Sequence, residues 1–337
     1  MQNFSGHGIR RKAGMASTLS RRRVVASTSA QDGIMSDASQ RSSTPVNAPP
    51  DKHPDVYAPN LTLMDSVVLL GIKDKEGYLS FWNDSISYVL RGLIIIELAL
   101  RGRVKIIRDS IPGRYERDLR ERYLGVCDDR STGEALLDET LKMIRANTSV
   151  DEKMSVSTWV NVLSGETWSL SKIGFQLKQV RERLAKGLVE KGVLRTEKRN
   201  FLLFDMATHP VQDSLAKRKQ VDRVVSVLLR RAKTIVSNAT NGNTSVEDEA
   251  PDAALRDQIL VCAAFAAAVL DNALAHLDFD ERERAFERAD SLMSELKKWP
   301  NETLEWKTVI EETTVSRENL EVVAAVISIF SKMDSVL

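Results

Sequence analysis

The chain has 337 residues, long enough for one large domain with a substantial core. Its 48 Lys and Arg against 47 Asp and Glu leave a net charge of +1, which excludes a nucleic-acid coat or an acidic tail as the character of the whole. Any anionic partner must therefore be recognised by local clusters of base.

Residues 1–55 are rich in Ser, Thr, Gly, Ala and Pro and carry little apolar periodicity. Such a segment buries too little surface to offset its ordering entropy, so it reads as a disordered tail ahead of a single domain over 56–337. From Met1 to Gln31 it holds Arg10, Arg11, Lys12, Arg21, Arg22 and Arg23 and no acid. Three readings stay open there: a solvated tail, a mitochondrial transit peptide, and a short basic sorting motif for a coat or membrane surface. The N-terminus lacks the apolar stretch of a secretory signal.

Folding is expected from Leu61. Asn60 or Thr62 can cap a helix through Leu70, with Leu63, Val67 and Leu70 on one face. Lys73 to Gly77 is a polar turn, and a second helix follows from about Asn83 to Leu100, closing at Gly102. The β-branched run Val104 to Ile107 suggests a short strand. Residues 109–133 are highly charged and read as an exposed loop with a helical stretch, since Arg114 to Arg122 alone holds four Arg, two Glu and one Asp.

Helical spacing then marks 134–147, 154–163 and 174–191, the last ended by Gly192. Val193 to Thr196 and Phe201 to Phe204 read as strands, with Glu197 to Asn200 as the hairpin turn between them. A helix from Pro210 to about Ser237, a polar linker over 238–251, and helices near 252–276, 279–298 and 303–335 complete the chain. The run Ile259 to Leu270 is apolar for twelve residues, where a membrane span needs about 20, so it is expected in the core. Cys127 and Cys262 stand alone, without metal spacing, and read as reduced thiols. The architecture expected is mainly α, one helical domain carrying a β-hairpin.

Catalytic signatures are missing: no phosphate loop ending in Lys-Ser/Thr, no Gly-x-Ser-x-Gly, no His-Glu-x-x-His and no Cys-x-x-Cys. His209 and His276 read as structural. Binding is better represented. On the helix placed over 174–191, Leu177, Val180, Leu184 and Leu188 form a buried stripe, and Lys178 and Arg181 would project together along its edge. Two close cations, one a point charge and one a planar fork, suit a phosphate monoester, although basic residues on a helix are more often simply solvated. Phe81-Trp82 precedes the second helix, where a Trp is more often a packing residue. Arg91 lies among Leu90, Gly92 and Leu93; a charge in an apolar stretch needs a partner or solvent, and Gly92 leaves room for a ligand or another backbone. Phe201-Leu202-Leu203-Phe204 cannot all face one way on a strand, which points to cover by another subunit or to a membrane wedge.

Several ordered motifs go further. Leu61-Thr62-Leu63-Met64, Lys73 to Tyr78, Ser80-Phe81-Trp82-Asn83-Asp84, Ile96 to Gly102, Leu136 to Leu141, Gly165-Glu166-Thr167-Trp168, Val180-Arg181-Glu182-Arg183 and Phe201 to Met206 resemble the Golgi phosphoprotein 3 family. The resemblance runs from about residue 61 to 210, and the Ser- and Arg-rich N-terminus is similar to that of fungal members, which are vacuolar-sorting and glycosyltransferase-retention adaptors. It implies a helical bundle surrounded by amphipathic helices with a protruding β-hairpin, and a non-enzymatic peripheral protein on the cytosolic face of Golgi membranes. It also implies a shallow pocket for phosphatidylinositol 4-phosphate, which falls on Trp82, Arg91, Lys178 and Arg181; animal members have Arg where this chain has Lys178. The implied hairpin, for self-association or bilayer contact, covers Asn200, Phe201, Leu202, Leu203 and Phe204. Arg21, Arg22 and Arg23 would engage the COPI coat, and cytosolic tails of Golgi glycosyltransferases are the implied cargo. Neither a cofactor nor a metal nor a nucleic acid is implied. The competing readings are a helical scaffold without lipid recognition and a cytosolic enzyme acting on a phosphorylated ligand.

Overall fold

The computed structural model describes residues 60–78, 84–108, 117–148, 153–201, 204–229, 252–299 and 303–333. Arg21, Arg22 and Arg23, Trp82, Leu202, Leu203 and the 238–251 linker lie outside them. The fold is mainly α, with eleven helices and two small antiparallel sheets among the described residues.

Helix α1 (Leu63–Gly71) starts where the sequence provides a reciprocal cap. Thr62 Oγ1 accepts from the Asp65 N–H and Asp65 Oδ2 accepts from the Thr62 N–H, both at 3.1 Å, so two orphan donors are satisfied together. Every residue of α1 is buried. Helix α2 (Asp84–Leu100) is buried almost continuously from Val89 to Ala99, and Gly102 turns the chain away at φ +66°. The space beside Gly92 is taken by helix α11 (Arg317–Met333): a Cβ built there would lie 2.5 Å from Phe330 Cε1. Gly92 thus serves close helix packing, and no ligand space opens beside it.

Strand β1 (Val104–Ile107) pairs with β2 (Tyr123–Val126), a strand that the charge of the surrounding loop conceals in the sequence. A 3-10 turn at Leu119–Glu121 is the helical part of that loop. Helices α3 (Ala135–Thr148) and α4 (Val156–Ser164) follow close to expectation. The helix expected over 174–191 does not: a 3-10 turn occupies Leu170–Phe175 and α5 spans only Val180–Glu190.

The hairpin is also displaced along the chain. Glu197 to Asn200 form most of β3 (Glu197–Phe201) instead of the turn, and β4 is Phe204–Thr208, with Asn200 opposite Asp205 and Phe201 opposite Phe204. A charged run is compatible with a two-stranded ribbon because such a ribbon is largely solvated. Helix α6 (Ser214–Leu228) is capped by Asp213 and starts four residues after Pro210. The apolar run is buried as expected but is not one helix. Helix α7 (Ala253–Ala266) stops, Ala268 adopts φ +52°, and α8 (Leu270–Leu274) begins. The last expected helix is likewise two, α10 (Leu304–Glu312) and α11, after α9 (Phe279–Leu296).

At the centre α11 packs along α2, with α1, α3, α4, α5 and α7 also against α2. Outer helices such as α5 and α9 turn an apolar edge inward and charge outward. No helix of the described residues is long and apolar enough to cross a membrane. Cys127 is exposed and Cys262 buried, and neither is in a disulfide.

Candidate functional site

The segment between α4 and α5 carries Lys178 and leads into Arg181, and its shape follows from a few residues. Gly165 ends α4 in the left-handed region at φ +84° and packs against the Gln176 side chain, which a Cβ would strike. The Glu166 N–H donates to Asn161 O at 2.8 Å, turning the chain outward. Eleven residues later Leu177, fully buried, returns and donates its N–H to Leu163 O at 3.0 Å. Phe175 meets Trp159 edge to face, with ring centroids 5.4 Å apart. The loop is therefore closed and anchored at its base.

Arg91 of α2 supplies the bolt. Its Nε donates to Leu163 O at 2.8 Å, one terminal nitrogen to Leu177 O at 2.7 Å and the other to Ser87 O at 2.7 Å. One buried guanidinium, 8% exposed, thus joins α2 to both ends of the loop. The acceptors are neutral carbonyls, so its charge is hydrogen-bonded but not cancelled. Burial and then the nearby Arg181 lower its pKa below the usual arginine value, against the opposing pull of Glu182 and Glu166. Partial desolvation raises the Glu166 pKa, and Arg91 counters it. Burial, followed by Glu166, pushes the Tyr88 phenol up to about 12, and its hydroxyl bonds Asn161 Oδ1 at 2.6 Å.

Leu177 O holds Arg91, so the next residue, Lys178, leaves the clamp at the site and is exposed. Gln179 then takes φ +53° as the N-cap of α5, and Arg181 follows in the first turn, half-buried. Lys178 and Arg181 are thus not neighbours along one helix face; Lys178 sits before a left-handed residue, which the sequence pattern did not reveal. The buried stripe expected over Leu177, Val180, Leu184 and Leu188 is present all the same. Neither Lys178 nor Arg181 forms a salt bridge with the described residues.

The structure therefore brings three of the expected residues, Arg91, Lys178 and Arg181, to one neighbourhood, with Glu166 and Glu182 close by. Trp82 lies outside the described residues, two positions before α2 begins. Asn200 is exposed on β3, remote in sequence, and the side chains of Phe201 and Phe204 are not described. Sequence reasoning missed Glu166, Leu163 and Leu177 as parts of the site. Leu163 and Leu177 act through their backbone carbonyls, and only Glu166, following a helix-ending Gly, carries a visible signal. His209 packs at the Gly77 turn, its N–H on Gly77 O at 2.6 Å, and burial lowers its pKa. Among the described residues no group of His, Cys, Asp or Glu could hold a metal.

Fold and site together define a mainly helical protein that gathers Arg91, Lys178 and Arg181 in one neighbourhood. The family model for Golgi phosphoprotein 3 (GPP34) matches residues 63–311. The chain belongs to the Golgi phosphoprotein 3 family. It is 43% identical to vacuolar protein sorting-associated protein 74 of Schizosaccharomyces pombe, over 96% of this chain and all of that one. It is 44% identical to the protein of the same name from Eremothecium gossypii, over 83% of this chain and 85% of the relative. Membership places it among Golgi-associated sorting adaptors.

Proposed function

We propose that this protein is a peripheral, non-enzymatic adaptor on the cytosolic face of Golgi membranes. It binds phosphatidylinositol 4-phosphate and links the cytosolic tails of Golgi glycosyltransferases to COPI vesicles, so retaining those enzymes. The observation that carries the reading is Arg91, a buried guanidinium bound among the described residues only by carbonyls, with Lys178 next to the Leu177 carbonyl that it holds and Arg181 nearby. A phosphate monoester supplies the countercharge that the protein withholds, and Lys and Arg meet it as point charge and fork. Trp82, ahead of α2, completes the headgroup site. The β3–β4 ribbon, with Asn200 to Phe204 at its end, serves self-association or bilayer contact. Arg21, Arg22 and Arg23 engage the coat.

Each basic side chain near an anionic leaflet contributes about 1 kcal/mol, so attachment is weak and reversible until copies act together. The double variant Lys178→Ala/Arg181→Ala should weaken binding to vesicles carrying the 4-phosphate lipid about 30-fold. Its circular dichroism and melting temperature should stay those of the parent. Equal flotation of parent and variant would remove the site assignment.

A further inference from the structure

Six large apolar side chains are exposed among the described residues: Trp168, Leu170, Ile173, Leu215, Phe279 and Ile310. Three of them fall within one six-residue stretch, the tip of the loop whose base Arg91 clamps. Trp168 is 104% exposed, Leu170 85% and Ile173 52%. This exposure does not come from a loose segment. Both loop ends are hydrogen-bonded to α4, Phe175 is seated on Trp159, and Ser169 and Ser171 bond each other at 2.8 Å across the tip. Leu170 and Ile173 lie on a 3-10 turn, where residues three apart eclipse, so they form one apolar edge with Trp168 just ahead. Ordering such a surface in water gains nothing unless another apolar medium receives it.

We infer that the Trp168-Leu170-Ile173 edge inserts into the interfacial layer of an anionic bilayer when the cationic site at its base holds a headgroup. The inference rests on the headgroup reading above and extends it from one lipid to the membrane surface. Two features favour a bilayer as occupant. The first is continuity: Leu163 and Leu177, whose carbonyls hold Arg91, are also the roots of this loop, so a headgroup at Lys178 and Arg181 brings the tip to the leaflet. The second is charge: Lys172 lies within the apolar turn and Lys178 at its exit, the order of base beside aromatic and aliphatic groups that suits an anionic interface. Trp prefers that layer because its ring is apolar and its N–H finds a polar partner there.

The test uses the full chain carrying Trp168→Ser, Leu170→Ser and Ile173→Ser together; all three side chains are solvent-facing, and an unchanged melting temperature is the control. Two probes are compared, soluble glycerophosphoinositol 4-phosphate and phosphatidylcholine vesicles containing phosphatidylinositol 4-phosphate and phosphatidylserine. The variant should bind the soluble headgroup like the parent and lose affinity for the vesicles about 100-fold, two decades for three apolar groups withdrawn from the interface. Bromine in the acyl chains should quench tryptophan emission of the parent, and Trp168→Phe should remove most of that quenching. Unchanged vesicle affinity in the triple variant overturns the inference. So does a change in oligomer size without lipid, by light scattering, which would assign the edge to a second copy. If the parent ignores the soluble headgroup yet its Trp168 is quenched, the headgroup reading fails and the insertion stands.

Discussion

Helix α2 buries two charges six residues apart, and they are treated in opposite ways. Glu97, fully buried, is neutralised: Arg256 and Arg101 both pair with it, and it also accepts the Leu63 N–H at 2.8 Å, capping the start of α1. Among the described residues Arg91 meets only carbonyls, and the charges that act on it, Arg181, Glu182 and Glu166, lie outside its hydrogen-bond shell. A buried charge with its counterion built in holds helices together. One without it is held in place with its charge uncancelled, and that difference separates the scaffold end of α2 from the end proposed to bind an anion.

Breaking the scaffold end should have the largest effect. Glu97→Ala leaves the half-buried Arg256 and Arg101 without their carboxylate and the buried Leu63 N–H without its acceptor, and should cost about 3–5 kcal/mol of stability, read by denaturant unfolding. Headgroup affinity of the molecules that stay folded should not change. Arg91→Ala strikes the other end and should do both kinds of damage. It strands the Leu163 and Leu177 carbonyls, costing about 1–3 kcal/mol, and it removes vesicle binding. Arg91→Lys restores the charge but cannot reach three carbonyls in a planar fork, so it should recover some affinity and less of the stability.

The smallest expected effect sharpens the electrostatic half of the comparison. Glu166 opposes an incoming phosphate, so Glu166→Gln should raise vesicle affinity about two- to fivefold. Its carboxyl pKa is raised in the fold by desolvation, so protons bind more tightly to the native than to the unfolded chain. Its contribution to stability is therefore present at acid pH and lost as pH rises through that raised value. Affinity of the parent for the lipid should likewise rise on acidification, and the Gln variant should lack that rise, measured by flotation across pH.

The two ends of α2 also differ in how far sequence could read them. Periodicity and capping marked α1, α2 and the stripe Leu177 to Leu188, because apolar spacing and a Thr-Asp cap are local signals. Arg91 stood out for the same reason, as a charge inside an apolar run. What it touches was illegible: the carbonyls of Leu163 and Leu177 lie 72 and 86 residues away and leave no mark in residue type. The left-handed turns at Gln179 and Ala268 were hidden because side chains with a Cβ rarely adopt them, so the helices there read as continuous. Flanking charge masks strand β2, and the polar run Glu197 to Asn200 reads as a turn although it lines an exposed ribbon. Gly92 offers room for a ligand or another backbone on the sequence alone, and only the tertiary approach of Phe330 shows a side chain of α11 taking it.

The role proposed for Arg91 is to organise a cationic site that accepts a phosphate monoester. A crystal structure with glycerophosphoinositol 4-phosphate tests it most directly. The 4-phosphate should lie within hydrogen-bond distance of Lys178 and Arg181, beside the Arg91 clamp, with the ring against Trp82. A phosphate bound elsewhere on the chain, with Lys178 and Arg181 still facing solvent, would contradict it.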